Sequence, residues 1–353
     1  MVKVNPKDII LYAIEVPPTT DREVRGGDWD ITEKDFNTES IVVAFQHLHD
    51  GGKLSETEYC KRNLQRVKDG MNRWGCTSEL AWNARMSMLA ALYCEIRDDG
   101  FKVPNENDMV GINIDRKGRV MFNNGRHRLA IAKVLGLESI PVRINLVHKN
   151  WDRFKKDIKS FAKTANQGKI YQAMNHPDLQ DIPYHWGNER LDAIKSVMQV
   201  EGGTCLDIGA NWGQYSEGFA RMGFDVLASE NNTRWLFYLE RLRDASPSHY
   251  KVYSGDVLFI VPTFFDVVIA LNIFHHFIKT ERVYNNFKAF LGRLQSQEMY
   301  FQAHNPEEPQ MRGAYRNFAP DEFAQWIVDN SCYTAWEKTD YESQNRPIYR
   351  IYK

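Results

Sequence analysis

The chain has 353 residues, 43% hydrophobic and 26% charged, which permits two packed domains and excludes a low-complexity or disordered chain. Its formal net charge of −1 argues against a whole-chain electrostatic grip on nucleic acid, though not against a local basic patch. The five cysteines are scattered and form no Cys-x-x-Cys, so a reduced, cytoplasmic setting without structural zinc or any other metal site is expected. No apolar run approaches the ~18 residues of a membrane span, and Met1 to Pro6 lack the apolar core of a signal peptide.

Residues 1–16 alternate around Ile9, Ile10, Tyr12 and Ile14 and predict a strand, broken by Pro17-Pro18. Arg25-Gly26-Gly27-Asp28-Trp29-Asp30 is a polar glycine-rich loop, either a surface turn or a substrate loop. From Ile41 to Arg97 the apolar spacing is helical. His47 and His49 are two apart, so they point to different faces and do not read as a metal pair. Ile112-Asn113-Ile114-Asp115 and Val120-Met121-Phe122 predict two strands about a Lys117-Gly118 turn. Asn124-Gly125-Arg126-His127-Arg128 then opens a helix that Gly136 closes, and Ile140-Pro141-Val142-Arg143-Ile144 is the next strand.

A turn glycine and two arginines at a helix N-terminus form a candidate phosphate site, because free N–H groups and guanidinium forks both favour anions. The alternative is that Arg126 and Arg128 pair with acids elsewhere in the domain. This stretch resembles the nucleotide-binding segment of the ParB/sulfiredoxin superfamily, through Gly125-Arg126-His127-Arg128, the alanine-rich helix and Ile140-Pro141-Val142. The resemblance implies an α+β domain that binds ATP or CTP, with Mg, at residues 124–128. The sulfiredoxin-type cysteine is missing from this turn, and a helical insertion at about 41–100 departs from the family.

Trp151, Phe154, Ile158 and Phe161 fall on one face of a helix that joins the two halves. Residues 1–150 are expected as one domain, 151–185 as packing helix and linker, and 186–353 as the second domain. A helix is expected over Trp186 to Met198.

The stretch Thr204 to Ser216 organises the second half. An apolar strand is interrupted by Asp207 just before its end, two glycines follow at Gly209 and Gly213, and helical spacing begins at Tyr215, Phe219 and Met222. Backbone can approach a ligand closely there. The turn lacks G-x-G-x-x-G spacing and a P-loop lysine. Asp225 to Glu230 predicts a second strand ending in an acid, a position that accepts ribose hydroxyls in doubly wound folds. Val252 to Val257, Phe265 to Ala270 and Met299 to Phe301 predict three more strands.

This order resembles the class I S-adenosylmethionine-dependent methyltransferases, whose first motif is acid-x-Gly-x-x-x-Gly. The resemblance implies a Rossmann-like α/β domain with S-adenosylmethionine as cofactor, closed by an antiparallel hairpin over residues 333–341 and 346–352. It places Asp207, Gly209, Ala210, Asn211, Gly213, Tyr215, Glu230, Asn231, Asp256, Val257 and Leu271 around that cofactor, with Asp256 and Val257 at the adenine. His275, His276 and His304 are the candidate general bases, since imidazole titrates near neutrality. The Asn-Pro-Pro-Tyr and Pro-Cys motifs of DNA methylation are absent, so a small-molecule or glycan hydroxyl is the expected acceptor and nucleic acid is not. Two alternatives remain. One is a bifunctional kinase-methyltransferase, favoured by an acid such as Asp28 or Asp30 poised across the phosphate turn. The other is a nucleic-acid module fused to a methyltransferase.

Overall fold

The computed structural model describes the chain except Met1, Glu15, residues 17–21, Pro104, and residues 106–107 and 262–263. The break expected at Pro17-Pro18 lies outside the described residues. The chain divides into two compact units, one of residues 1–160 and 176–181 and the other of residues 161–175 and 182–353. The segment expected as packing helix and linker is shared between the units, and the chain passes between them three times, after residues 160, 175 and 181.

The first unit is α+β. It holds β1 (Val2–Val4), β2 (Leu11–Ala13), β3 (Glu23–Arg25) and β4 (Glu33–Asp35), then three helices, α1 (Ser40–His49), α2 (Glu58–Lys68) and α3 (Glu79–Asp99). Next come β5 (Val110–Ile114), β6 (Val120–Asn124), α4 (Arg126–Val134) and β7 (Ile140–His148). The seven strands form one sheet in the order β1-β7-β5-β6-β2-β4, with β3 also on β7. The β5–β6 hairpin is pinned by Asp115, whose Oδ1 accepts the backbone N–H groups of Lys117 (2.8 Å) and Arg119 (2.7 Å). Helix α4 ends at a left-handed Gly136, where Leu137 N–H bonds back to Ala132 O.

Helix α5 (Lys149–Ala165) buries Trp151, Phe154, Ile158 and Phe161, the face its spacing predicts. The second unit continues with β8 (Ile170–Gln172) and β9 (Tyr184–Trp186), a two-stranded parallel pair, and α6 (Glu189–Val197). The helix expected from Trp186 therefore starts three residues later, after a strand and the Gly187-Asn188 turn. Alternation then gives β10 (Gly203–Ile208), α7 (Gln214–Arg221), β11 (Phe224–Ser229), α8 (Thr233–Ala245) and β12 (Lys251–Tyr253). The chain completes itself with β13 (Phe264–Leu271), α9 (Glu281–Arg293), β14 (Gln295–Gln302), α10 (Pro320–Asp329), β15 (Ala335–Ser343) and β16 (Arg346–Tyr352).

These strands form a Rossmann-like α/β sheet in the order β12-β11-β10-β13-β14-β16-β15. The first five are parallel, and β16 is antiparallel to both neighbours, so the last two close the sheet as a hairpin. Alternate residues of β10 and β13 enter opposite cores. Leu206, Ile208, Val268 and Ala270 join one, and Cys205, Val267 and Ile269 join the other. The strand order reverses between β10 and β13, and ligand crevices in open α/β sheets form at such switch points.

Candidate cofactor site

A cavity of about 860 Å³ opens at the carboxyl ends of β10, β11 and β13. Of the residues singled out in the sequence, Asp207, Gly209, Asn211, Tyr215, Glu230, Asn231, Leu271, His275 and His276 line it.

Gly209 and Gly213 are needed for different contacts. Both have positive φ, 71° and 88°. A Cβ on Gly209 would sit 2.8 Å from Ile273 Cδ1, and one on Gly213 would sit 2.6 Å from Tyr250 Oη and 2.7 Å from Leu239 Cδ1. Gly213 and the buried Ala210 thus shape the turn from behind and do not line the cavity. Asn211 takes φ 53°, a left-handed value costly for a side-chain-bearing residue, and its Oδ1 is buried without a hydrogen-bond partner.

Glu230 is buried at the tip of β11. Its Oε2 accepts Asn211 N–H at 3.0 Å and its Oε1 accepts Asn232 N–H at 2.8 Å. Burial raises its pKa against the pull of these backbone donors. The carboxylate is therefore fixed where it lines the cavity.

Asp207 is more deeply buried, and Ser216 Oγ donates to its Oδ2 at 2.6 Å. Burial pushes its carboxyl up to about 6, Ser216 opposes the shift, and Glu230 adds to it. The native state thus holds this proton more tightly than the unfolded chain. The stability it contributes is complete below the ordinary carboxylate range and is lost as pH rises through about 6. Replacement by asparagine should relieve on the order of 2–3 kcal/mol at pH 7.5 and nothing at pH 3.5. Urea denaturation of ligand-free wild type and Asp207→Asn at the two pH values checks this. Equal stabilities at pH 7.5 would contradict it.

Three positions depart from expectation. β12 ends at Tyr253, so Asp256 lies beyond the strand tip, where its Oδ1 accepts Leu258 N–H at 3.0 Å and caps a short turn over Val257–Phe259. Neither Asp256 nor the buried Val257 lines the cavity. His304 does not line it either. Asn317 Nδ2 donates to Pro306 O, which orients its Oδ1 to accept the His304 Nε2 proton at 2.9 Å.

His275 and His276 pack with ring centroids 4.0 Å apart and planes tilted by 38°, on a short turn after β13. His275 is buried, and that burial, with His276, His304, Lys279 and Arg346 adding to it, pushes its pKa down to about 2. His276 is the exposed member, lowered by partial burial of its ring and by the charge of Lys279. Both imidazoles are neutral at pH 7.

Several lining residues carried no signal in the sequence. Trp212 stacks on Tyr238 at 4.4 Å, and Phe161 of α5 meets Trp212 at 5.7 Å and Trp235 at 5.4 Å. The Arg234 guanidinium lies over Phe161 at 4.4 Å. At apolar spacings such rings read as core. Asn272 has φ 55°, an unpartnered buried Oδ1, and an Nδ2 that donates to Tyr171 Oη at 3.2 Å. Arg190 lines the cavity although it is only 1% exposed.

In the first unit, Gly125 is left-handed at φ 86° and starts α4. Its Cβ position lies 3.2 Å from Val110 Cα, so β5 also demands glycine here. Arg126 Nη1 donates to Glu39 at 2.8 Å and Arg128 Nη2 to Asp108 at 2.6 Å. His127 Nε2 is hydrogen-bonded with Tyr59 Oη at 3.2 Å, and burial, with Arg85 and Arg126, pushes its pKa down to about 4. Asn124 Oδ1 accepts Gly125 N–H at 2.8 Å. Asp28 and Asp30 are both held by Arg116, at 2.9 Å and 2.6 Å. Among the described residues no cluster of His, Cys, Asp and Glu could hold a metal ion, and no helix is long and apolar enough to cross a membrane.

No family model matches the chain, and no curated protein matches it by sequence. Solved structures do. The bifunctional kinase-methyltransferase WbdD is 19% identical, with 56% of this chain and 46% of that one covered and a TM-score of 0.44. The methyltransferase domain of bacterial CtHen1-CN is 12% identical over 47% of this chain and 96% of that one, with a TM-score of 0.38. Magnesium protoporphyrin IX methyltransferase (ChlM) from Synechocystis PCC 6803, solved with bound SAM, is 12% identical over 56% and 97%, also at 0.38. The chain spans about half the length of the WbdD structures it matches. At these scores the likeness carries no residue role across.

Proposed function

We propose that the second unit is an S-adenosylmethionine-dependent methyltransferase that acts on an oxygen of a small-molecule or glycan acceptor. The observation that carries this is Glu230. It is a buried carboxylate at the tip of the strand next to β10, fixed by two backbone N–H groups and facing a cavity at the switch point of the sheet. That is the place where an acid accepts paired ribose hydroxyls. The cavity fits the cofactor in other ways. The Gly209 turn admits close approach, Asn211 Oδ1 and Trp212 Nε1 are buried polar atoms awaiting partners, and Asp207 offers an acid for the methionyl ammonium. When bound, the cofactor supplies the sulfonium methyl group.

The protein's own tasks are alignment, exclusion of water and removal of the acceptor's proton. Phe161, Trp212 and Trp235 wall the cavity. His276, exposed and neutral, takes the proton at a ring nitrogen, and the buried His275 holds its orientation by packing against the ring. Because His276 is lowered, it stays unprotonated below the usual imidazole range, and the rate should hold its plateau somewhat below pH 6.5. His276→Ala should lower kcat by about 10²–10⁴. Transfer of label from methyl-tritiated S-adenosylmethionine to candidate glycans and hydroxylated metabolites tests the activity. Wild-type turnover in His276→Ala across pH 6 to 9 would show that the histidine pair is structural.

For the first unit we propose a ParB/sulfiredoxin-like domain that binds ATP or CTP, with Mg, at residues 124–128. Phosphate would have to replace Glu39 and Asp108 as the partners of Arg126 and Arg128. Thermal shift with ATP, CTP and GTP is the test. A nucleotide at 100 times its dissociation constant should add about 2.7 kcal/mol, less in Arg128→Ala. No shift up to millimolar nucleotide would leave the two arginines as structural ion pairs. Phosphotransfer gains no support from Asp28 and Asp30, whose charges are taken by Arg116.

A further inference from the structure

Arg190 is one of the largest fully buried side chains of the second unit, at 1% exposure. It lies in the first turn of α6 and lines the cavity with Asp207, Tyr215 and Glu230. Its Nε and Nη2 are buried without a hydrogen-bond partner. Among the described residues no carboxylate answers its charge. Burial opposes its charged form, and the phenol oxygens of Tyr215, Tyr171 and Tyr341 favour it, Tyr215 and Tyr341 also as neutral hydrogen-bond partners that bring no opposite charge.

A buried guanidinium is ordinarily paired, because leaving it unpaired forfeits its hydration with nothing in return. Here the structure holds it in place regardless. The Trp186 ring packs on the guanidinium at 3.7 Å from its centroid. Gln214, the first residue of α7, donates to Gly187 O at 2.7 Å and Asn188 Oδ1 at 3.1 Å, which ties the turn before α6 to the glycine loop. The unsatisfied atoms are also the informative ones. Nε and Nη2 form one edge of the guanidinium, the edge that grips a carboxylate with two parallel bonds. A cation fixed with that edge unoccupied is built for an anion that arrives with a ligand.

We propose that Arg190 holds the methionyl carboxylate of the sulfonium cofactor, and so makes the site select carboxylated over decarboxylated sulfonium ligands. This rests on the S-adenosylmethionine reading of the same cavity. Glu230 reserves its own end for the uncharged ribose hydroxyls and repels an anion there. Arg190 and Asp207 then match the two opposite charges of the amino-acid end. A site without Arg190 would accept an aminopropyl sulfonium equally well, and the carboxylate contact separates the two classes of donor.

Calorimetric titration with three ligands tests this in the full chain: S-adenosylhomocysteine, its decarboxylated analogue, and 5′-methylthioadenosine, which lacks the amino-acid end. Wild type should bind S-adenosylhomocysteine roughly 10–100-fold more tightly than the decarboxylated analogue, the worth of one charge-assisted pair. Arg190→Met should reduce that ratio to near one and leave methylthioadenosine affinity unchanged. Its ligand-free melting temperature should not fall, since an apolar side chain of similar length removes an uncompensated charge. Arg190→Lys should keep part of the ratio. The proposal is overturned if wild type does not discriminate, which would leave the guanidinium for an anionic acceptor. It is equally overturned if Arg190→Met keeps the ratio or weakens all three ligands alike. Failure of wild type to bind any of the three would remove the cofactor reading itself, a result distinct from lost discrimination.

Discussion

Glu230→Ala should weaken S-adenosylhomocysteine binding by about 10²–10⁴, because two charge-assisted hydrogen bonds of about 1.5–3 kcal/mol each disappear together. The alanine also releases Asn211 N–H and Asn232 N–H, so Glu230→Gln is the necessary companion. Glutamine keeps an oxygen for one backbone donor but carries no charge. A loss in both variants, larger in alanine, assigns the effect to the ribose contact. Unchanged affinity in both, measured by titration calorimetry, would take Glu230 out of the cofactor site.

Gly213→Ala should be the most damaging of the conservative changes, at about 2–5 kcal/mol of stability. Two costs combine. A left-handed residue with a Cβ loses about 1–2 kcal/mol, and an extra carbon forced into packed surroundings loses about 1–3 kcal/mol. At Gly213 that carbon would meet Tyr250 and Leu239 inside normal contact distance. Gly223 is a matched control in the same unit, with φ 93° and nothing within 4 Å of its Cβ position. Gly223→Ala should therefore pay only the backbone cost. If urea denaturation gives the two variants the same loss, the close approach of α8 and Tyr250 to the turn is not what fixes this glycine.

The parts of the site written in local sequence were readable, and the parts made by distant partners were not. Asp207 and Glu230 each interrupt an apolar run at its end, and each stands at a strand tip on the cavity. The closing hairpin, expected over residues 333–341 and 346–352 from the family resemblance, is formed by β15 and β16. Asp256 was expected at a strand end because Val252 to Val257 reads as one strand, whereas the polar Ser254-Gly255 takes the backbone out of the sheet after Tyr253 and Asp256 caps the turn that follows. The charges at Arg126 and Arg128 were visible, but their partners Glu39 and Asp108 lie in other segments of the chain. Arg190 was hidden most completely. It reads as an ordinary charged position of an amphipathic helix, and only the fold shows that Trp186, Tyr215 and the cavity surround it. Phe161 and Trp235 were hidden the other way, since aromatic residues at helical spacing normally belong to a core, and Trp212 lies in the turn between the two glycines, where spacing carries no signal.

The cavity at the ends of β10, β11 and β13 is proposed as an S-adenosylmethionine site. Calorimetric titration of the intact wild-type chain with S-adenosylhomocysteine tests it most directly. The account predicts saturable binding of one ligand per chain, tighter at pH 7.5 than at pH 5, because Asp207 must ionise near pH 6 to meet the ligand's ammonium group. No binding at millimolar ligand, or binding indifferent to pH and to Glu230→Ala, would contradict it.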